Sequence, residues 1–75
     1  MPKLPRVSSR KAIRALERLG FNQTRQTGSH VILKKITSNG KVGCVVPLHR
    51  ELKAGTLSGI LRQAQVSPED FINSL

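Results

Sequence analysis

The stretch HVILKKITSNGKVGCVVP, residues 30–47, decides the fold. His30 to Ile36 is rich in β-branched and apolar residues and reads as the strongest strand in the chain. Thr37-Ser38-Asn39-Gly40 is a hairpin turn, with Asn-Gly supplying residues that tolerate positive φ. Lys41 to Val46 returns as a second strand, and Pro47 ends it because proline donates nothing to a ladder. Working outward, Thr27-Gly28 marks another turn, and Phe21 to Gln26 ahead of it reads as a polar edge strand. Together these segments make a three-stranded antiparallel meander.

Helical patterns flank the meander. Ser8 or Ser9 offers an N-cap before a helix from Arg10 to Leu19, and Gly20 stands where a helix stop belongs. At about 100° per residue, Ala12, Ile13, Leu16 and Leu19 share one stripe, while Arg10, Lys11, Arg14 and Arg18 fall opposite as a basic ridge. After a loop from Leu48 to Gly55, Leu57, Ile60, Leu61 and Ala64 mark the apolar face of a second helix, Thr56 to Gln65. Ser67-Pro68-Glu69-Asp70 then combines an N-cap, a proline at the first helical position and two acids near the positive end of the dipole. The short helix it starts is expected to pack Phe71, Ile72 and Leu75 back on the core. Pro2 and Pro5 leave residues 1–7 as an extended lead-in. The expected architecture is a single α+β domain over residues 1–75, α-β-β-β-α plus a short C-terminal helix, with the helices on one sheet face and the other face open. That is the double-stranded-RNA-binding type of arrangement.

Composition narrows the function. The 75 residues hold 13 Lys and Arg against four Asp and Glu, a net charge of +9. Such an excess favours a polyanionic partner, of which nucleic acid is the commonest. A membrane surface suits it less, because no bulky aromatic face backs the basic residues. There is no Trp or Tyr and only two Phe, so bases cannot be gripped on a platform of exposed rings; binding is expected to lean on phosphates and shape. Cys44 is the one cysteine, which rules out an internal disulfide and suits a small buried residue in a reducing cytosol. No apolar run approaches the roughly 20 residues of a membrane span, and no apolar stretch follows the basic start, so a cytoplasmic protein is expected.

The chemistry must come from a short list. His30 and His49 are the only histidines, and the four carboxylates are scattered, so no metal-ligand or paired-carboxylate pattern forms. No cofactor or metal is expected. RNA cleavage suits such a list, since RNA supplies its own nucleophile in the 2′-hydroxyl. An imidazole can take its proton, and Lys or Arg can stabilise the charge that develops on phosphorus. Strand alternation puts His30, Ile32 and Lys34 on one face and Val31 and Leu33 on the other. If Val31 and Leu33 face the helices, His30 and Lys34 face the open side, although a lone histidine at a strand start is more often an ordinary surface residue. Ser29 could contact phosphate or simply form the turn, and Lys35 adds to the charge of the strand. His49, in Pro47-Leu48-His49-Arg50, reads first as a residue orienting the loop.

The residues also resemble a known family. A basic first helix ending in Leu19-Gly20-Phe21, Gly28-Ser29-His30 opening a strand, the stretch from Val46 through Pro47-Leu48-His49-Arg50-Glu51-Leu52 to Gly55-Thr56-Leu57, and the run from Ile60 through Ser67-Pro68-Glu69-Asp70-Phe71 look like the HicA messenger-RNA interferases. The likeness runs from about Ser8 to the end. It implies a double-stranded-RNA-binding-like fold, ribosome-independent cleavage of messenger RNA, a HicB-type antitoxin as partner, and His30 as the catalytic histidine. Many relatives carry a second histidine directly after the first, where this chain has Val31; proton delivery to the leaving oxygen is then left to solvent or Lys34. The expected RNA contacts are Arg10, Lys11, Arg14, Arg18, Ser29, Lys34 and Lys35. The alternative is a non-catalytic RNA-binding module of the same fold. Such modules usually cluster basic residues at the start of their last long helix, where this chain offers only Arg62 within the helix. A DNA-binding regulator fits less well, since no helix-turn-helix spacing occurs.

Overall fold

Two antiparallel hairpins and the helix that precedes them set the frame. A computed structural model of the chain describes residues 3–75, in the order α1 (Ser9–Arg18), β1 (Asn22–Thr27), β2 (His30–Thr37), β3 (Gly40–Pro47), α2 (Ala54–Ala64) and α3 (Pro68–Asn73). The sheet order is β1-β2-β3, antiparallel throughout. This is the expected α+β arrangement of the double-stranded-RNA-binding type.

Ser8 caps α1, its Oγ accepting from the Lys11 N–H at 3.2 Å. At the other end Gly20 adopts φ +102°, letting the Phe21 N–H reach back to the Leu16 carbonyl and the Gly20 N–H to that of Glu17, both at 3.0 Å. That pair of bonds satisfies two carbonyls that a helix end leaves open. A Cβ at Gly20 would come to 3.2 Å from the end of the flexible Lys35 side chain, which can give way, so it is the backbone that favours glycine here. The same closure ends α2, but there the left-handed position is Gln65, φ 58°, with the Val66 N–H donating to the Leu61 carbonyl. Gln65 therefore terminates α2 instead of extending it, and the helix starts two residues earlier than the expected Thr56.

The turns differ from expectation in detail. Thr27 pairs with His30, so the first loop is Gly28-Ser29, with Gly28 at φ +56°, as a tight turn with glycine in its first central position needs. In the second turn the positive φ falls on Gly40, at +125° and inside β3, while Asn39 keeps a negative φ. In β1 the register shifts between Gln23 and Arg25; Thr24 drops out of the ladder, and its hydroxyl donates to the Ile32 carbonyl at 3.3 Å.

One sheet face is buried. Val31 and Leu33 of β2 and Cys44 and Val46 of β3 meet Ile13 and Leu16 of α1, Leu57, Ile60 and Leu61 of α2 and Phe71 of α3. Of the three residues expected to pack back from the terminal helix, Phe71 is fully buried, Ile72 only partly, and Leu75 is exposed. The lead-in does more than trail: Val7 pairs with Leu52 in an isolated antiparallel bridge, closed by the Leu52 N–H on the Val7 carbonyl at 2.8 Å. The part of the expected lead-in at Met1 and Pro2 lies outside the described residues.

Candidate active site

His30 opens β2 and is exposed. Its neighbour Val31 and, two residues on, Leu33 are buried against the helices, so alternation turns His30 to the open face, as expected. Its cross-strand partners are Thr27 on one side and Pro47 on the other. The bulge at Thr24 brings Arg25 opposite Ile32, on the same face as His30. Further along, Lys34 pairs with Asn22, and Lys41 with Ile36; Lys34, Ile36 and Lys41 line one shallow recess with Asn22 and Thr24. No acidic residue occurs in any of the three strands. The open face thus presents an imidazole, the cations Arg25, Lys34 and Lys41, and an apolar strip in which Ile36 is 79% exposed.

The expected RNA contacts divide between surfaces. Lys34 shares the open face with His30. Lys35 points the other way, its ammonium 5.8 Å from the centroid of the Phe21 ring, a cation–π contact on the helix side of the sheet. Arg10 and Arg14 line a groove of about 400 Å³ between α1 and β1, with Glu17, Gln23 and Gln26. Lys11 lies on the outer side of α1, and the Arg18 guanidinium donates to the Ser74 carbonyl at 2.7 Å, tying α1 to the end of the chain. Ser29 is exposed, and its carbonyl accepts from the Leu48 N–H at 2.7 Å. Arg25 and Lys41 are absent from the expected set. The bulge that turns Arg25 toward His30 leaves no mark in a strand that is polar throughout, but Lys41 could have been found by counting alternation through the hairpin.

A second omission is Ser9, the one polar residue buried among the described residues, at 2% exposure. Its Oγ accepts from the His49 N–H at 2.7 Å and donates to the carbonyl of Pro47 or of His49; its own N–H donates to the His49 carbonyl at 3.1 Å. Sequence pattern offered Ser9 only as a helix cap. In the fold it is a brace that pins the exit of β3 to the start of α1. The loop role expected of His49 is thus filled by its backbone. Its imidazole makes no hydrogen bond to any described residue, and it lines an open recess of about 590 Å³ with Ser8, Ser9, Arg10, Leu48 and Arg50.

Cys44 lies on the buried side of β3, and burial pushes its thiol up to about 11, which keeps it protonated and poorly nucleophilic near neutrality. No group of three or more His, Cys, Asp or Glu side chains able to hold a metal ion occurs among the described residues.

A family model described as the HicA toxin of bacterial toxin–antitoxin systems matches residues 9–66. The chain belongs to the HicA toxin family. That match begins at the buried Ser9 and runs through His30, the open sheet face, the braced loop and the whole of α2. A comparison with curated proteins finds no match. Membership makes this HicA domain the toxin component of a toxin–antitoxin pair, and no helix among its described residues is long and apolar enough to cross a membrane.

Proposed function

We propose that this HicA toxin is a ribosome-independent endoribonuclease that cleaves messenger RNA in the cytoplasm without a metal ion, using His30 as general base. The observation that carries the reading is an exposed imidazole at the mouth of a sheet face whose only charged residues are cations. His30 takes the proton of a 2′-hydroxyl, and the 2′-oxygen attacks the adjacent phosphorus. The bond from phosphorus to the 5′-oxygen breaks, and that oxygen takes a proton from water or from Lys34. The products are a 2′,3′-cyclic phosphate and a 5′-hydroxyl. Arg25 and Lys34 supply positive charge to the phosphorane, which is where fixed cations act most strongly.

His30→Ala is expected to lower the rate by about 10²- to 10⁴-fold, the usual worth of a positioned acid or base, with circular dichroism unchanged because the ring is exposed. Activity is expected to persist in EDTA. Retained cleavage in the purified variant, or 3′-hydroxyl ends, would overturn the assignment. The partner in this reading is a HicB-type antitoxin that covers His30 and part of the basic surface. Because Lys34 and Arg14 lie on different faces, charge reversal at each tests separately how far the cover extends: loss of antitoxin binding at Lys34 alone marks the sheet face, and loss at both marks a partner wrapping the β1 edge.

A further inference from the structure

The recess at the start of α1 has no part in the steps above, yet it is built with care. Three polar groups, Arg10, His49 and Arg50, converge on it with the Ser8 hydroxyl at its edge, and no carboxylate lines it. Glu51, next in sequence, faces a different recess beside Arg6 and Lys53. The backbone of His49 is held at both its N–H and its carbonyl by Ser9, and the Leu48 N–H is held by Ser29. The loop is therefore fixed while the ring it carries is uncommitted. Fixing a donor in advance removes the ordering cost that a mobile loop would pay on binding.

We propose that this recess is a second phosphodiester site, holding a phosphate of the same RNA strand close to the scissile one. The inference rests on the reading of the chain as an RNA-cleaving enzyme. Its distance to His30 is bounded by the fold. Pro47 lies opposite His30, about 5 Å away across an antiparallel pair, and His49 is two residues beyond, each spanning at most about 3.6 Å. The two histidine Cα atoms are thus no more than about 13 Å apart, within reach of neighbouring nucleotides of one strand. The guanidinium of Arg10 or Arg50 can hold phosphate oxygens bidentately, and His49 and Ser8 add single donors. The recess shares Arg10 and Leu48 with the groove that carries Arg14, so the RNA backbone has a path that continues along α1, where Arg10 and Arg14 outweigh the one carboxylate, Glu17.

The test uses a fluorescently labelled 2′-O-methyl octanucleotide, which can bind but has no nucleophile, titrated into the full chain across a salt series. Arg50→Gln is expected to weaken binding roughly tenfold and to lower the salt slope by about 0.7, the share of one phosphate contact on a single strand. His49→Gln is expected to weaken it by about threefold, and Arg50→Lys to keep the slope. Both glutamine variants should keep the wild-type urea midpoint, since the side chains are exposed. Unchanged affinity and slope in Arg50→Gln and His49→Gln overturn the second site. If the variants weaken binding but the wild-type protein leaves a ribo-oligonucleotide intact, the nuclease reading falls and the phosphate site stands. Failure of the wild type to bind the probe at all overturns both.

Discussion

Ser9 shows what a single hydroxyl can do in a chain of this size. It is buried at 2% exposure and serves as the junction for two main-chain groups of His49 and the carbonyl of Pro47. Ser9→Ala would leave the His49 N–H and one carbonyl without the partner that Ser9 provides, and such groups, where water does not replace the partner, cost about 1–3 kcal/mol each. The expected result is a fall of that size in unfolding free energy, read from the urea midpoint, together with weaker RNA binding as the loop loosens. A variant as stable as the wild type would show that the brace is replaceable. The placement of His30 on the open face was legible in the sequence from alternation, because Val31 and Leu33 are unambiguously apolar, while its role as the candidate base rested on the family resemblance. Ser9 was not legible, because a serine at a helix start has a sufficient local explanation in capping, and its real partners lie 38 and 40 residues away.

Elements were read well where glycine or a cap marks their ends and less well where an ordinary residue does the same work. Gly20 announced the end of α1. Gln65 ends α2 in the same left-handed backbone, φ 58°, with nothing in its side chain to say so. A non-glycine residue there carries a steric cost of about 1–2 kcal/mol. Gln65→Gly is therefore expected to raise stability by about 1 kcal/mol, measured as an upward shift of the denaturant midpoint with the slope unchanged. A loss of stability would mean that the side chain of Gln65 contributes more than the backbone strain costs. The bulge at Thr24 is the other concealed feature. In a strand that is exposed along its whole length no buried pattern fixes register, so one skipped residue decides that Arg25 faces the same way as His30.

On the scale of the molecule, five of the 13 Lys and Arg behind the +9 charge lie on two surfaces that meet at the β1 edge. Arg25, Lys34 and Lys41 lie on the open face, and Arg10 and Arg14 lie in the groove behind β1. A strand of RNA that touches both engages three or more phosphates, which gives a log–log salt slope of about −2 or steeper. Binding measured between about 50 and 200 mM salt is expected to show it, and a slope near zero would refute phosphate-led recognition. Charge count alone indicated a polyanion. The placing of these five cations on two surfaces depended on which face each strand residue takes, and that required the register.

The brace also has a consequence for timing. Ser9 is made early in synthesis, while Pro47 and His49 follow some 40 residues later, and the apolar residues of α2 and α3 that seal the same core come later still. At a bacterial pace of about 5–20 residues per second, the half of the recess carried by α1 waits for seconds without its other half. On the proposed reading of the chain as an RNA-cleaving enzyme, a nascent chain is expected to spare the transcript that encodes it until the residues that complete this core have left the ribosome. Stalling translation after Val46 and assaying the tethered chain checks this directly: RNA exposed to it is expected to stay whole, and to be cut once the remaining residues are released.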